Sequence, residues 1–145
     1  MSWDVSFYNF AGCPPAAGSG AFAEGTPTPP GLVPLGNASA VRNRISASLR
    51  GVDWSDPVCG FYRGDGFSLE FNIGRDDTIE HMMVHARGSG FAIQALVAVA
   101  SPNAWSVLDW TTGKFLDLER PSQEGWDRFR SFRDRAAQLV RKFPW

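Results

Sequence analysis

The sequence predicts a two-layer α+β domain, with a mostly antiparallel sheet of about six strands and three helices packed on one face. Three observations carry this reading. Apolar and polar side chains alternate with a period of two in several short segments separated by Gly- and Asp-rich turns. Three other segments repeat their apolar residues every three or four positions, as a helix with one buried stripe does. The 145 residues, 43% hydrophobic and 20% charged, fit a single domain spanning 1–145. A chain of this length buries roughly two-thirds of its unfolded surface, and six Trp with eleven Phe supply large core side chains.

Residues 2–10 open with Trp3, Val5 and Phe7 opposed to Asp4, Ser6 and Tyr8, the pattern of a half-buried strand. Residues 11–36 then gather six of the ten prolines and six of the fifteen glycines, so no regular ladder or helix is expected there. Such a long loop is either a mobile flap or is pinned by Phe22, Leu32, Val33 and Leu35. Asn37 is a plausible helix cap, and Val41, Ile45 and Leu49 follow at spacings of four, with Gly51 ending the helix.

Three strands are expected next, at 58–62, 67–73 and 78–87, joined by turns at Arg63–Gly66 and Gly74–Asp77. The middle one is the clearest, because Phe67, Leu69, Phe71 and Ile73 alternate with Ser68, Glu70 and Asn72. Phe91 to Ala100 reads as a buried helix, about half the length that a membrane span requires. Residues 104–110 and 114–118 form a second hairpin around Thr111, Thr112 and Gly113. After Pro121 and Ser122, Trp126, Phe129, Phe132, Ala136, Leu139, Val140 and Phe143 mark a final helix packed on the sheet, with Glu124 and Arg128 as an i, i+4 pair.

Fourteen basic residues against fifteen acidic ones leave a net charge of -1, without the cationic surplus that phosphate backbones attract, so no nucleic-acid partner is expected. The start, MSWDVSFYNF, lacks a basic segment followed by an apolar run, which points to a cytoplasmic protein with no membrane partner. In that compartment Cys13 and Cys59 stay reduced.

His81 and His85 have the spacing of zinc ligands on a helix, but the surrounding residues read as a strand, where positions four apart lie roughly 13 Å from each other. No metal, cofactor or catalytic residue is assigned. Glu70 could face a histidine across neighbouring strands, and a carboxylate and imidazole beneath the 11–36 loop give the alternative reading of a small enzyme or ligand-binding domain, using Glu70 and His85.

Charge divided by segment is more informative. Residues 51–80 hold seven acids and two bases, whereas residues 119–145 hold seven bases and four acids. Acidic turns beside Trp54, Phe61 and Tyr62 would place aromatic anchors inside an anionic rim suited to a basic protein. The candidate partner-binding residues are Asp53, Trp54, Asp56, Asp65, Glu70, Asn72, Asp76 and Asp77. On the final helix, Arg128, Arg130, Arg133 and Arg135 are expected on the wet side, paired with Asp127 and Asp134.

The strings MSWDV at the start, WSDP at 54–57, GDGFSLEFN at 64–72, HARGSG at 85–90 and LDWTTGKFLDL at 108–118 together resemble a group of small bacterial proteins of the toxin-immunity type. The likeness spans most of the chain outside the Pro- and Gly-rich loop, and its strings mark turns and strands, so no functional residue is carried over. It implies an accessory, stoichiometric binding protein, an antitoxin that occludes a secreted toxin's active site, and the acidic turns add the expectation that the partner is a basic toxin domain. A homo-oligomer joined through a sheet edge is the third arrangement the sequence allows.

Overall fold

The computed structural model describes residues 2–20 and 30–142. In chain order the elements are β1 (Trp3–Phe10), β2 (Leu32–Val33), β3 (Gly36–Asn37), α1 (Ala38–Ser48), β4 (Asp53–Asp56), β5 (Cys59–Arg63), β6 (Phe67–Asn72), β7 (Thr78–Ile79), β8 (Met82–Gly88), α2 (Ala92–Ala100), β9 (Ser106–Asp109), β10 (Lys114–Phe115) and α3 (Glu124–Lys142). The architecture is α+β, as the sequence predicts. Among the described residues the sheet has eight strands, not six, in the antiparallel order β10-β9-β1-β8-β6-β5-β4 with β2 beside β1, and β3 pairs with β7 in a separate ribbon.

β1 lies near the centre, and its expected alternation holds: Trp3, Val5 and Phe7 are fully buried on one face. Against that face, together with Leu69, Phe71, Val84 and Ala86 of the neighbouring strands, pack Val41 and Ile45 of α1 with Leu49 just past its end, Ile93 and Leu96 of α2, and Trp126 and Phe129 of α3. All three helices therefore share one side of the sheet. Asn37 caps α1 as expected, its Oδ1 accepting from Ala40 N at 2.8 Å.

The extra strands have physical reasons. β4 has no apolar alternation and exists by pairing with β5, through a bulge between Asp53 and Asp56. The expected strand 78–87 is broken at Glu80 and His81. Ile79 turns into the core and its carbonyl accepts from Leu35 N at 2.8 Å, so β7 leaves the sheet to meet the segment before α1. The turn at Gly74–Asp77 is consequently part of a longer link, not a tight hairpin. The Pro- and Gly-rich stretch is tied down where it is described: Leu35 joins the main core, Leu32 packs on a smaller cluster of Tyr8, Phe10, Leu108 and Phe115, and Gly18 N donates to Phe115 O. Phe22 lies outside the described residues.

A buried carboxylate fixes the entry to α3. Asp109 is 1% exposed; its Oδ1 accepts from Trp3 Nε1 at 2.9 Å and from Thr111 N at 2.8 Å. Its Oδ2 occupies the place a Cβ on residue 125 would take, so a glycine stands at that position in the first turn of α3. There the amides at the helix start favour negative charge. Trp126 then packs against Trp3 at a tilt of 46°, with ring centroids 5.5 Å apart. The final helix departs from expectation beyond this point, because Phe132 and Leu139 are exposed and, among the described side chains of α3, only Trp126 and Phe129 reach the core. Val140 and Phe143 have no described side chain.

Two stability outcomes follow. Gly125→Ala pushes a methyl group into the Asp109 carboxylate and should lower unfolding free energy by about 1–3 kcal/mol in urea titration. The turn after α2 closes with Trp105 N donating to Ala100 O at 3.0 Å and leaves Ala104 at φ 54°. Ala104→Gly should therefore raise stability by about 1 kcal/mol in the same assay.

Candidate functional site

The face of the sheet turned away from the helices carries two rows of side chains in register. One runs Asp4, His85, Glu70, Phe61 and Asp53 across β1, β8, β6, β5 and β4. The next runs Ser6, Met83, Asn72, Cys59 and Asp56 across the same strands. The bulge in β4 lets Asp53 and Asp56, three apart, share this face. Beyond β1 the face becomes apolar, with Tyr8, Phe10, Leu108 and Phe115 in contact.

Two aromatic rings stand out of this surface. Phe61 is 38% exposed because Gly60 and Tyr62 take the core-side positions of β5, and the Arg63 guanidinium lies 5.9 Å above its ring. Trp110, just past β9, is 45% exposed and donates from Nε1 to Ser6 Oγ at 2.7 Å, which lays the indole beside β1. Trp110 was not among the sequence-derived candidates. Its signal was the parity of β9, where Asp109 points inward and the next residue must point out.

The acidic candidates do not form one rim. Asp53, Asp56 and Glu70 share the open face with Asn72. Asp65 sits in the β5–β6 turn at one end of the strands, and Asp76 and Asp77 in the link after β6 at the other. Trp54 is not a surface anchor: its ring covers Gly60 on the helical side, 2.6 Å from where a Cβ would be, and Nε1 donates to Ser46 Oγ of α1 at 3.0 Å. Tyr62 also packs against the main core.

Local chemistry is set by short contacts. Asp53 Oδ1 accepts from Ser55 Oγ at 2.6 Å and Ser55 N at 2.8 Å, which holds its carboxyl below the usual value. Asp56 Oδ1 accepts from Val58 N at 3.1 Å. Burial, then the neighbouring Glu70 carboxylate and also Asp56, push the Cys59 thiol up to about 11. Burial likewise raises the Tyr8 phenol, against a smaller lowering from Ser6.

Glu70 and His85 are directly opposed on adjacent strands, as the sequence allowed, yet each is engaged elsewhere. His85 Nδ1 lies 2.6 Å from Asp4 Oδ1, and Glu70 Oε2 accepts from Arg87 Nη1 at 3.3 Å. Ser2 Oγ donates to Asp4 at 2.5 Å and lies 3.4 Å from the same Nδ1. Hydroxyl and carboxylate thus gather at one ring nitrogen, whereas a nucleophile relay places them at opposite nitrogens. The described flanks of the 11–36 loop reach β10 and the end of β1, not this pair.

His81 lies outside the strand and stacks on Tyr8 at 5.7 Å. Among the described residues no three His, Cys, Asp or Glu side chains are placed to hold a metal ion, and no helix is long and apolar enough to cross a membrane. The sheet edges are blunted. β4 is four residues long with two aspartates, a bulge and Pro57 next to it, and on the other edge Lys114 of β10 bridges Gly20.

Comparison with protein-family models, with curated proteins and with solved structures finds no match.

The electrostatics of this face can be read chemically. At pH 8 iodoacetamide should modify exposed Cys13 well before Cys59, and Glu70→Gln should accelerate Cys59 labelling by removing the charge that disfavours its thiolate. Peptide mapping by mass spectrometry reads both rates.

Proposed function

We propose that this chain is a stoichiometric protein-binding protein, a cytoplasmic bacterial immunity protein that neutralises a secreted toxin by covering a basic surface of it. One observation carries the reading: the sheet face opposite the helices bears Asp4, Asp53, Asp56, Glu70 and Asn72, with exposed Phe61 between Glu70 and Asp53 and exposed Trp110 beside β1. Three interstrand spacings of about 4.8 Å, from β1 to β5, put these rings roughly 14 Å apart. Large aromatic groups around a charged stripe fit recognition in which rings supply affinity and carboxylates steer a cationic partner. The resemblance of several sequence strings to toxin-immunity proteins supports the same class.

The partner-binding set is accordingly Asp53, Asp56, Glu70 and Asn72 with Phe61 and Trp110. Asp65, Asp76 and Asp77 lie at its margins, where they act at longer range.

The test uses the protein encoded beside this one, purified and immobilised. Reversing Asp53 and Asp56 together to lysine should slow association by about tenfold at low salt, with the difference shrinking as salt rises. Reversal of Asp76 and Asp77 should have a smaller effect. Association that is unchanged by the Asp53 and Asp56 reversal removes this face from the interface, and absence of any complex removes the immunity reading.

A further inference from the structure

Among the described side chains, the apolar anchors of α3 lie near its start. Trp126 and Phe129 are buried, whereas Phe132 and Leu139 are 61% and 58% exposed. At 100° per residue Phe132, Ala136 and Leu139 fall in one stripe roughly 60° wide, whose edge adjoins the buried Phe129 side of the helix. Phe129 and Phe132 form, with Ser2 and Thr111, a cleft of about 470 Å³ flanked by Arg128 and Arg135.

The arginines of α3 are not equivalent. Arg128 meets Glu124 at 2.6 Å, Arg130 lies 3.9 Å from Asp127, and Arg133 pairs with Asp134 at 3.1 Å while turning inward to Gly88 O. Arg135 has no acidic partner among the described residues. An exposed leucine or phenylalanine alone means little. Here two of them lie on one helix stripe beside a cleft, and the cations along that stripe set the sign of what can cover it.

We propose that this stripe and cleft dock an acidic amphipathic helix of a protein partner. Its apolar side chains cover Phe132 and Leu139, and its carboxylates meet Arg135 and compete for Arg128. Helix-in-groove recognition uses anchors at i, i+3 or i+4 and i+7, which matches the spacing of the α3 stripe. The surface lies on the helical side of the sheet, so it is separate from the open face and does not depend on the reading given above.

The full chain, isotopically labelled, is titrated with a synthetic 14-residue helical peptide bearing leucines on one stripe and glutamates elsewhere. The control peptide has lysine in place of each glutamate. The glutamate peptide should shift the amide signals of Thr111, Arg128, Phe132 and Arg135 and bind on the order of tenfold more tightly than the control. Phe132→Ala and Arg135→Glu, both at exposed positions, should each weaken it by about fivefold or more, and Arg135→Glu should improve binding of the lysine peptide.

Equal binding of the two peptides, indifference to both substitutions, or signal shifts centred on Glu70 and Asn72 would each overturn the proposal. Two further outcomes would also overturn it: concentration-dependent dimerisation abolished by Phe132→Ala with no peptide binding, which makes a second copy the occupant, and binding to phosphatidylglycerol vesicles in place of the peptide.

Discussion

The central strand places Trp3, Val5 and Phe7 on one side and Asp4 and Ser6 on the other, and its neighbours repeat this division in register. Val84 and Ala86 of β8 and Leu69 and Phe71 of β6 continue the apolar side, while His85 and Glu70 continue the polar one. Each large apolar side chain buried against that first side contributes roughly 1.5–3 kcal/mol. A helix laid on the second side would strip water from Asp4, Glu70 and Asp53, at several kcal/mol per uncompensated ion. One-sided cover is the arrangement that satisfies both terms, and it leaves the polar face uncovered by helices.

Within the covered layer, Asp109 decides where α3 begins. A carboxylate with almost no water access needs donors, and it has the Trp3 indole and the Thr111 amide, with the start of α3 beside its second oxygen. That contact holds Gly125 and Trp126 against the end of β1. The helix is 19 residues long, about 28 Å, whereas its buried anchors lie within the first two turns. The anchoring point thus determines that Phe132 and Leu139 project past the core. The same geometry that stabilises the first turn creates the uncovered stripe.

Much of this architecture is legible in the residues. β1, α1, β5, β6, α2 and α3 are where periodicity places them, because each buries a face whose repeat is visible along the chain. β4 and β7 are not, since Asp53–Asp56 and Thr78–Ile79 have no repeat and owe their form to pairing with distant segments. Trp54 shows the limit for the site. A tryptophan between two aspartates reads as exposed, and only the missing side chain of Gly60, across the strand pair, makes room for it on the core side. Phe132 fails in the opposite direction: its spacing is that of a core residue, and the sheet ends before reaching it.

The acidic surplus of residues 51–80 also means something different in space than in sequence. β6 is six residues long, so its two ends are separated by roughly 20 Å. That is about twice the distance over which exposed charges act through physiological salt. Asp65 at one end and Asp76 and Asp77 at the other are therefore screened from each other and do not sum to a single field. The carboxylates that stand together on the open face are Asp53, Asp56 and Glu70, across the adjacent strands β4, β5 and β6. Arg87 offsets Glu70 in part at 3.3 Å, while Asp53 and Asp56 lie at the blunted edge with only neutral hydrogen-bond donors on them.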